Sequence, residues 1–324
     1  MARKKPFSDS SLFDASDVGV SAKLADKFIV PPFTILDGRQ SYWMERKRTW
    51  LALGMRPEQG KEHLGSTVVK TEWMQRSDAT GGSAFDPMLA EIAYRWFTPK
   101  GGTILDPFAG SIVRGAVAGV LGHPYVGIEV RKEQVDANYA QWDGIVSRLG
   151  TAWEPMEPGW VCGDSGELEE TLWEVFGGDR QFDTVFSCPP YYDLEVYSDL
   201  AGDGSAIKNY PEFMEWYTDV FRQAVSRLKD NRFLVVVVGD VRDKTGAYYN
   251  FVGDNISCML GLGLKLYNSA IFVTPVGSLP VRTSRQFKSG RKLGQGHQHM
   301  LVFYKGDIKK IWDLFPEDVQ NGGD

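Results

Sequence analysis

The 324-residue chain is poor in several things, and each shortage closes off a class of protein. Cysteine occurs three times, at Cys162, Cys188 and Cys258, far apart and never as CxxC. That leaves no disulfide framework and no zinc motif, and it points to a reducing, cytoplasmic setting. Long apolar runs are also missing. The longest aliphatic one, FLVVVVG at Phe233–Gly239, is far too short to span a bilayer and reads as a buried strand. The basic start MARKKPFSDSS has no apolar segment behind it, so no signal peptide is expected. Positive charge is not in excess either. With a formal net charge of −6 the chain has no global attraction for nucleic acid, and any such contact must come from local basic patches. No internal repeat, low-complexity tract or heptad pattern is present. Apolar and aromatic residues are plentiful, at 43% and 13%, which is enough for a large core and too much for a disordered chain.

Residues 1–84 read as an N-terminal extension with possible nucleic-acid contacts. Within it, Val30–Gly54 combines a Pro-Pro turn, the aromatics Tyr42, Trp43 and Trp50, and the cations Arg39, Arg46, Lys47 and Arg48. The aromatics could pack on a core while the cations face phosphate. Residues 56–84 are polar and Gly/Ser-rich and read as loops. From Phe85 the pattern changes. FDPMLAEIAYRWF places Leu89, Ile92, Ala93 and Trp96 at helical spacing, with Pro87 in the first turn and TPKGG as the stop. Strands are expected at Thr103–Asp106, Tyr125–Glu129, Trp160–Asp164, Asp183–Ser187 and Phe233–Gly239. Helices are expected at 211–228 and near 250–261, and a final strand pair at Ala270–Thr274 and His299–Lys305. Such alternation predicts an α/β fold, a mostly parallel sheet with helices on both faces.

In open α/β sheets, ligands sit beyond the carboxyl ends of the strands. Here those ends carry Asp106-Pro107-Phe108-Ala109-Gly110-Ser111, then Glu129, then Asp164, then Cys188-Pro189-Pro190-Tyr191. Glu129 follows the first loop at the spacing of an acid that grips ribose hydroxyls. That suits a dinucleotide or an adenosyl cofactor, and the loop separates them. A dinucleotide needs G-x-G-x-x-G to bring backbone against pyrophosphate, whereas only Gly110 and Gly115 occur here, with Ile112 and Val113 between. Asp106 would also repel phosphate. S-adenosyl-L-methionine carries an ammonium and a sulfonium but no phosphate, and an acidic loop suits it.

DPFAGS, an acid ending the second strand, GDS at Gly163–Ser165 and the Pro-Pro-Tyr block occur in the order that resembles the DNA amino-methyltransferases of adenine and cytosine. The closer resemblance is to phage-encoded DNA methylases, whose recurring blocks are similar to RQSYWMERKRTWLALG, FDPMLAEIAYRWF, SCPPYYDLEVYS and HQHMLVFYKGD. The resemblance implies a Rossmann-like, seven-stranded sheet with the last strand antiparallel, occupying 85–306 as a catalytic domain with a basic insertion at 276–298 and a C-terminal tail at 307–324. It implies S-adenosyl-L-methionine as cofactor and DNA as substrate. Asp106, Phe108, Ala109 and Gly110, with Pro107 and Ser111 in the same loop, would surround its methionine part, and Phe85 and Asp86 would lie near the carboxylate. Glu129 would hold the ribose, and Asp164 with Ser165 would meet the adenine. Ile112 stands where the family pattern carries a further glycine.

The two prolines then acquire a purpose. They make a stiff loop whose carbonyls cannot swing away, so the carbonyl beside Pro189 can accept an N–H from a base amine while Tyr191 stacks on the extruded base. The family carries Asp, Asn or Ser before the prolines; here Cys188 is a weak acceptor. Ser187, Asp193 or Glu195 could supply the oxygen instead. Cys188 reads either as a small inert residue or as a thiolate nucleophile for methylation of cytosine ring carbon 5. The candidate catalytic set is therefore Ser187, Cys188, Pro189, Pro190 and Tyr191, for transfer to an exocyclic amine, cytosine ahead of adenine. A DNA-binding protein that has lost turnover and a nicotinamide oxidoreductase are the other readings. The acid-free block Val281–His299 contributes Arg282, Arg285, Lys288, Arg291 and Lys292, read as a mobile basic loop on phosphate. The His297/His299 pair reads as ordinary strand-start histidines, so no metal site is expected.

Overall fold

The computed structural model describes residues 28–59, 85–151, 153–192, 202–275 and 279–315. Strand β1 (Ile35–Asp37) and helix α1 (Ser41–Ala52) come first, followed by α2 (Pro87–Phe97), β2 (Ile104–Asp106), α3 (Val113–Val120) and β3 (Tyr125–Glu129). Then come α4 (Lys132–Leu149), β4 (Gly159–Cys162), α5 (Leu168–Phe176), β5 (Phe182–Ser187), α6 (Tyr210–Arg227) and β6 (Leu228–Val238). The chain continues with α7 (Phe251–Gly261), β7 (Lys265–Val273), α8 (Leu279–Gly290) and β8 (His297–Lys305).

The eight strands form one sheet in the order β1-β7-β8-β6-β5-β2-β3-β4. All neighbours pair in parallel except β8, which runs antiparallel to both β6 and β7. This is the expected Rossmann-like α/β sheet with its last strand reversed. An eighth strand, β1, extends the expected seven at the β7 edge.

Parallel strands need cover on both faces, and the side-chain alternation of β6 supplies it. Phe233, Val235 and Val237 enter one core with Trp43, Trp50 and residues of α2, α3 and α4. Leu234, Val236 and Val238 enter the other with residues of α5, α6 and α7. All six are at most 1% exposed, each contributing on the order of 1.5–3 kcal/mol through burial.

The sequence signals fix the helix ends. Asp86 accepts from Met88 N at 3.0 Å and Pro87 opens α2. Asn209 caps α6, with Pro211 in the first turn. Among the described residues no helix is long and apolar enough to cross a membrane.

Two readings change. Three of the four N-terminal cations hold protein carboxylates. Arg39 pairs with Asp37, Lys47 with Asp86, and Arg46 with the fully buried Glu91. Burial pushes the Glu91 carboxyl up, but the hydrogen bonds and charge of Arg46, with Arg95 and Trp50, hold it below its ordinary value. The basic stretch after β7, read as a mobile loop, contains helix α8, followed by irregular chain at 291–296.

Candidate active site

The strand order reverses beside β2. From there the chain builds β3 and β4 on one side, then β5 and β6 on the other. Such a switch point leaves a crevice beyond the strand ends. A cleft with a cavity volume of about 160 Å³ opens there. One part is walled by Phe85, Phe108, Gly110, Ser111, Glu129 and Ser165, and another by Cys188, Pro189, Pro190 and Tyr191. These ten sequence-selected residues come from five separate stretches of chain. The cleft also takes in Arg114, Ile128, Arg131, Asp203, Trp216 and Gln298, which sequence reading did not select.

Six selected residues are absent from the lining. Asp106 is fully buried and accepts from Phe108 N at 3.0 Å, Ser187 Oγ at 2.7 Å, Arg114 Nε at 2.6 Å and Tyr125 Oη at 2.9 Å. The Ser187 hydroxyl thereby donates its hydrogen to Asp106, and the residue is fully buried, outside the cleft lining. Asp86 caps α2 and faces Trp43 and Lys47. Pro107 presents its carbonyl to Ser165 Oγ at 2.5 Å, and Ala109 N bonds Ile128 O at 2.8 Å. Asp164 caps a short 3-10 turn by accepting from Gly166 N at 2.7 Å. Asp193 and Glu195 lie outside the described residues.

The Asp106–Arg114 pair is the electrostatic hub below the cleft. Burial disfavours the guanidinium, but Asp106, with help from Tyr125 and Cys188, raises its pKa further above the ordinary value. Arg114 also donates to Phe108 O and lies over the Phe85 ring, 5.1 Å from its centroid. It thus ties the loop after β2 to the entry of α2. Gly110 makes that loop possible through its φ of 55°, which other residues adopt at a cost.

Glu129 is 8% exposed and accepts from Arg131 N at 3.0 Å. Burial raises its pKa, Arg131 opposes the rise, and neighbouring Asp203 adds to it. Asp203 caps the turn Gly204–Ala206 through Ser205 N at 2.9 Å. The Gly204 backbone lies against the Trp216 ring so closely that a Cβ there would collide with it. Residues 202–204 therefore bring a second carboxylate to the acidic side of the cleft. In sequence it sits in Gly202-Asp203-Gly204-Ser205, which differs from Gly163-Asp164-Ser165 by an inserted glycine.

On the other side, the Tyr191 hydroxyl lies 2.9 Å from Gln298 Nε2, 3.4 Å from Val237 O and 3.7 Å from Cys188 Sγ. The next residue, Tyr192, turns the chain with a φ of 52°, an uncommon value for a non-glycine. Its buried ring, packed on Tyr210, Phe213 and Tyr249, holds that turn.

Two excursions flank Tyr191. Gly239, against the Tyr191 ring, begins the hairpin 240–250, in which Arg242 lies 3.7 Å over the Tyr248 ring. Gln298 ends the segment that carries α8. Arg285, Lys288 and Arg291 are exposed there and Lys292 half-buried, with Lys292 packed on Gly246 of the hairpin. Arg282 lies on α8.

No family model and no curated protein matches the chain. Solved structures do. TrmN from Thermus thermophilus is 16% identical over 70% of this chain and 51% of its own, with a TM-score of 0.42. NSun6 from Pyrococcus horikoshii, solved with SFG, is 12% identical over 68% and 52%, with a TM-score of 0.45. A second Thermus thermophilus protein, described as a DNA modification methylase, is 20% identical over 45% and 51%, with a TM-score of 0.32. These are likenesses of fold. The chain spans about half the length of each of the three.

Proposed function

We propose that the protein is an S-adenosyl-L-methionine-dependent methyltransferase acting on an exocyclic amine of a DNA base, cytosine ahead of adenine. The single observation that carries this reading is the two-part cleft: a carboxylate-bearing half continuous with the Cys188–Tyr191 loop at the switch point of the sheet.

The donor set fits the cofactor. Glu129 and Asp203 suit hydroxyl and ammonium donors, and Phe108 and Ile128 suit an apolar ring face. A phosphate group would meet these carboxylates, on a loop that lacks the close-approach glycines of dinucleotide sites. Glu129 holds the ribose, while Ser165 and the residues beside it meet the adenine. Phe85, Gly110 and Ser111 enclose the amino-acid end. Asp106, Asp86 and Asp164 support this wall from behind. When bound, S-adenosyl-L-methionine supplies an electrophilic methyl group.

The protein's own task is placement. Tyr191, fixed at its hydroxyl, offers a ring face for an extruded base, and the Cys188–Pro189 segment holds its carbonyls rigid for the amine hydrogens. Orientation and fixed dipoles contribute most of the rate, so no strong general base is required. Arg242 on the hairpin at 240–250, with Arg285, Lys288, Arg291 and Lys292 of the α8 segment, supplies cations for backbone phosphates.

The test is transfer of labelled methyl from S-adenosyl-L-methionine to duplex DNA by the purified protein, followed by base analysis. Methylated exocyclic amine is expected, and Cys188→Ser retains transfer. Loss of transfer in Cys188→Ser with 5-methylcytosine from wild type would favour the covalent ring-carbon route. Cofactor binding without transfer to any nucleic acid would refute the enzyme reading.

A further inference from the structure

A further polar side chain lines the cleft from a different strand. A base amine attacking a methyl group develops positive charge on nitrogen, and its hydrogens need acceptors to stabilise that charge. Cysteine sulfur is a weak acceptor. Ser187 does not line the cleft: it is fully buried and donates its hydroxyl hydrogen to Asp106 at 2.7 Å. Gln298, near the start of the antiparallel strand β8, lines the same cleft as Cys188, Pro189, Pro190 and Tyr191.

The hydrogen bonds fix which end of its carboxamide is available. The Tyr191 hydroxyl donates towards Val237 O and therefore accepts from Gln298 Nε2 at 2.9 Å. Nε2 is thus committed, and Oε1 is left as the acceptor. Resting on the amino-methyltransferase reading, we infer that Gln298 Oε1 is the side-chain acceptor for the target amine, standing in for the Asp, Asn or Ser that the resembling family carries before its two prolines.

In the step it supports, the amine lone pair forms a bond to the methyl carbon. The carbon–sulfur bond of the donor breaks, leaving its electron pair on sulfur. The surplus proton on nitrogen leaves to water. Gln298 accepts a hydrogen bond from the amine throughout and is not itself protonated. The reversed last strand gains a chemical role by this assignment. It delivers a side chain to the strand-end crevice from its N-terminal end, against Tyr191 of the loop that carries the prolines.

The experiment compares wild type, Gln298→Leu, Cys188→Asp and the Gln298→Leu/Cys188→Asp pair for methyl transfer to duplex DNA. Binding of S-adenosylhomocysteine and thermal melting are recorded for each. Gln298→Leu should lose kcat on the order of 10²-fold, the scale of one preorganised polar contact to developing charge, with cofactor affinity and melting near wild type. Adding Cys188→Asp should restore at least about tenfold by returning an acceptor from the loop side, on the same scale. Unchanged kcat in Gln298→Leu overturns the inference. So does loss in Gln298→Leu without recovery in the pair, because that outcome makes Gln298 a positioning residue for Tyr191. Absence of transfer by wild type removes the functional reading itself, and this inference with it.

Discussion

Replacing Asp106 with Asn tests how the cleft is built. Asp106 is fully buried, and its carboxylate holds Arg114 at 2.6 Å, Tyr125 at 2.9 Å and Ser187 at 2.7 Å. An amide keeps the volume but turns a donor towards a guanidinium that is only 5% exposed. Breaking a buried pair by neutralising one partner costs about 3–5 kcal/mol, because the other charge stays buried and uncompensated. For 324 residues, at about 2.1 cal/mol/K of unfolding entropy per residue, that corresponds to a fall in Tm of about 4–7 °C. Differential scanning calorimetry reads the fall, and titration with S-adenosylhomocysteine reads the cleft. Melting should drop by that amount, and adding Arg114→Leu to the Asn variant should recover most of it. A variant that melts with wild type but loses cofactor binding would refute the reasoning, because Asp106 would then touch ligand instead of supporting the wall.

Arg46→Met should cost about 3–5 kcal/mol by leaving Glu91 buried without its principal partner, read by chemical denaturation; a change below about 0.5 kcal/mol would mean the N-terminal helix contributes no stability to the sheet. Glu129 has a raised pKa, so its proton is gained at a higher pH than for an ordinary carboxyl. Cofactor affinity should therefore be full above the raised value, fall as the pH drops through it, and be weak without that step in Glu129→Gln. Lys288→Ala/Arg291→Ala should make the slope of log affinity for duplex DNA against log salt shallower by about 1.8, at about 0.9 per phosphate contact, with cofactor affinity unchanged; an unaltered slope would remove α8 from the DNA surface.

Much of the fold was legible because core strands of a parallel sheet are apolar throughout. Tyr125–Glu129 appears where it was read, and FLVVVV forms the β6 core. Strand β1 was not legible. It has three residues, and its pairing with Ile271–Val273 exists only in the tertiary structure. Helix α8 was read as a loop because Leu279–Gly290 is mostly polar and basic, with few apolar residues to mark a helical period. In the cleft, the strand-end rule located the right loops but could not orient their side chains. Whether Asp106 faces ligand or core depends on Arg114, eight residues further on. Asp203 and Gln298 reach the cleft from segments distant in sequence, and no local pattern marks them as belonging together.

The measurement closest to the central claim is made in a host lacking DNA methylation. The protein is expressed there, the DNA is digested to nucleosides, and the products are identified by mass and retention. The account predicts a new base methylated at its exocyclic amine, N4-methylcytosine ahead of N6-methyladenine, dependent on Tyr191. An unmodified genome in cells where the purified protein still binds S-adenosylhomocysteine would contradict it.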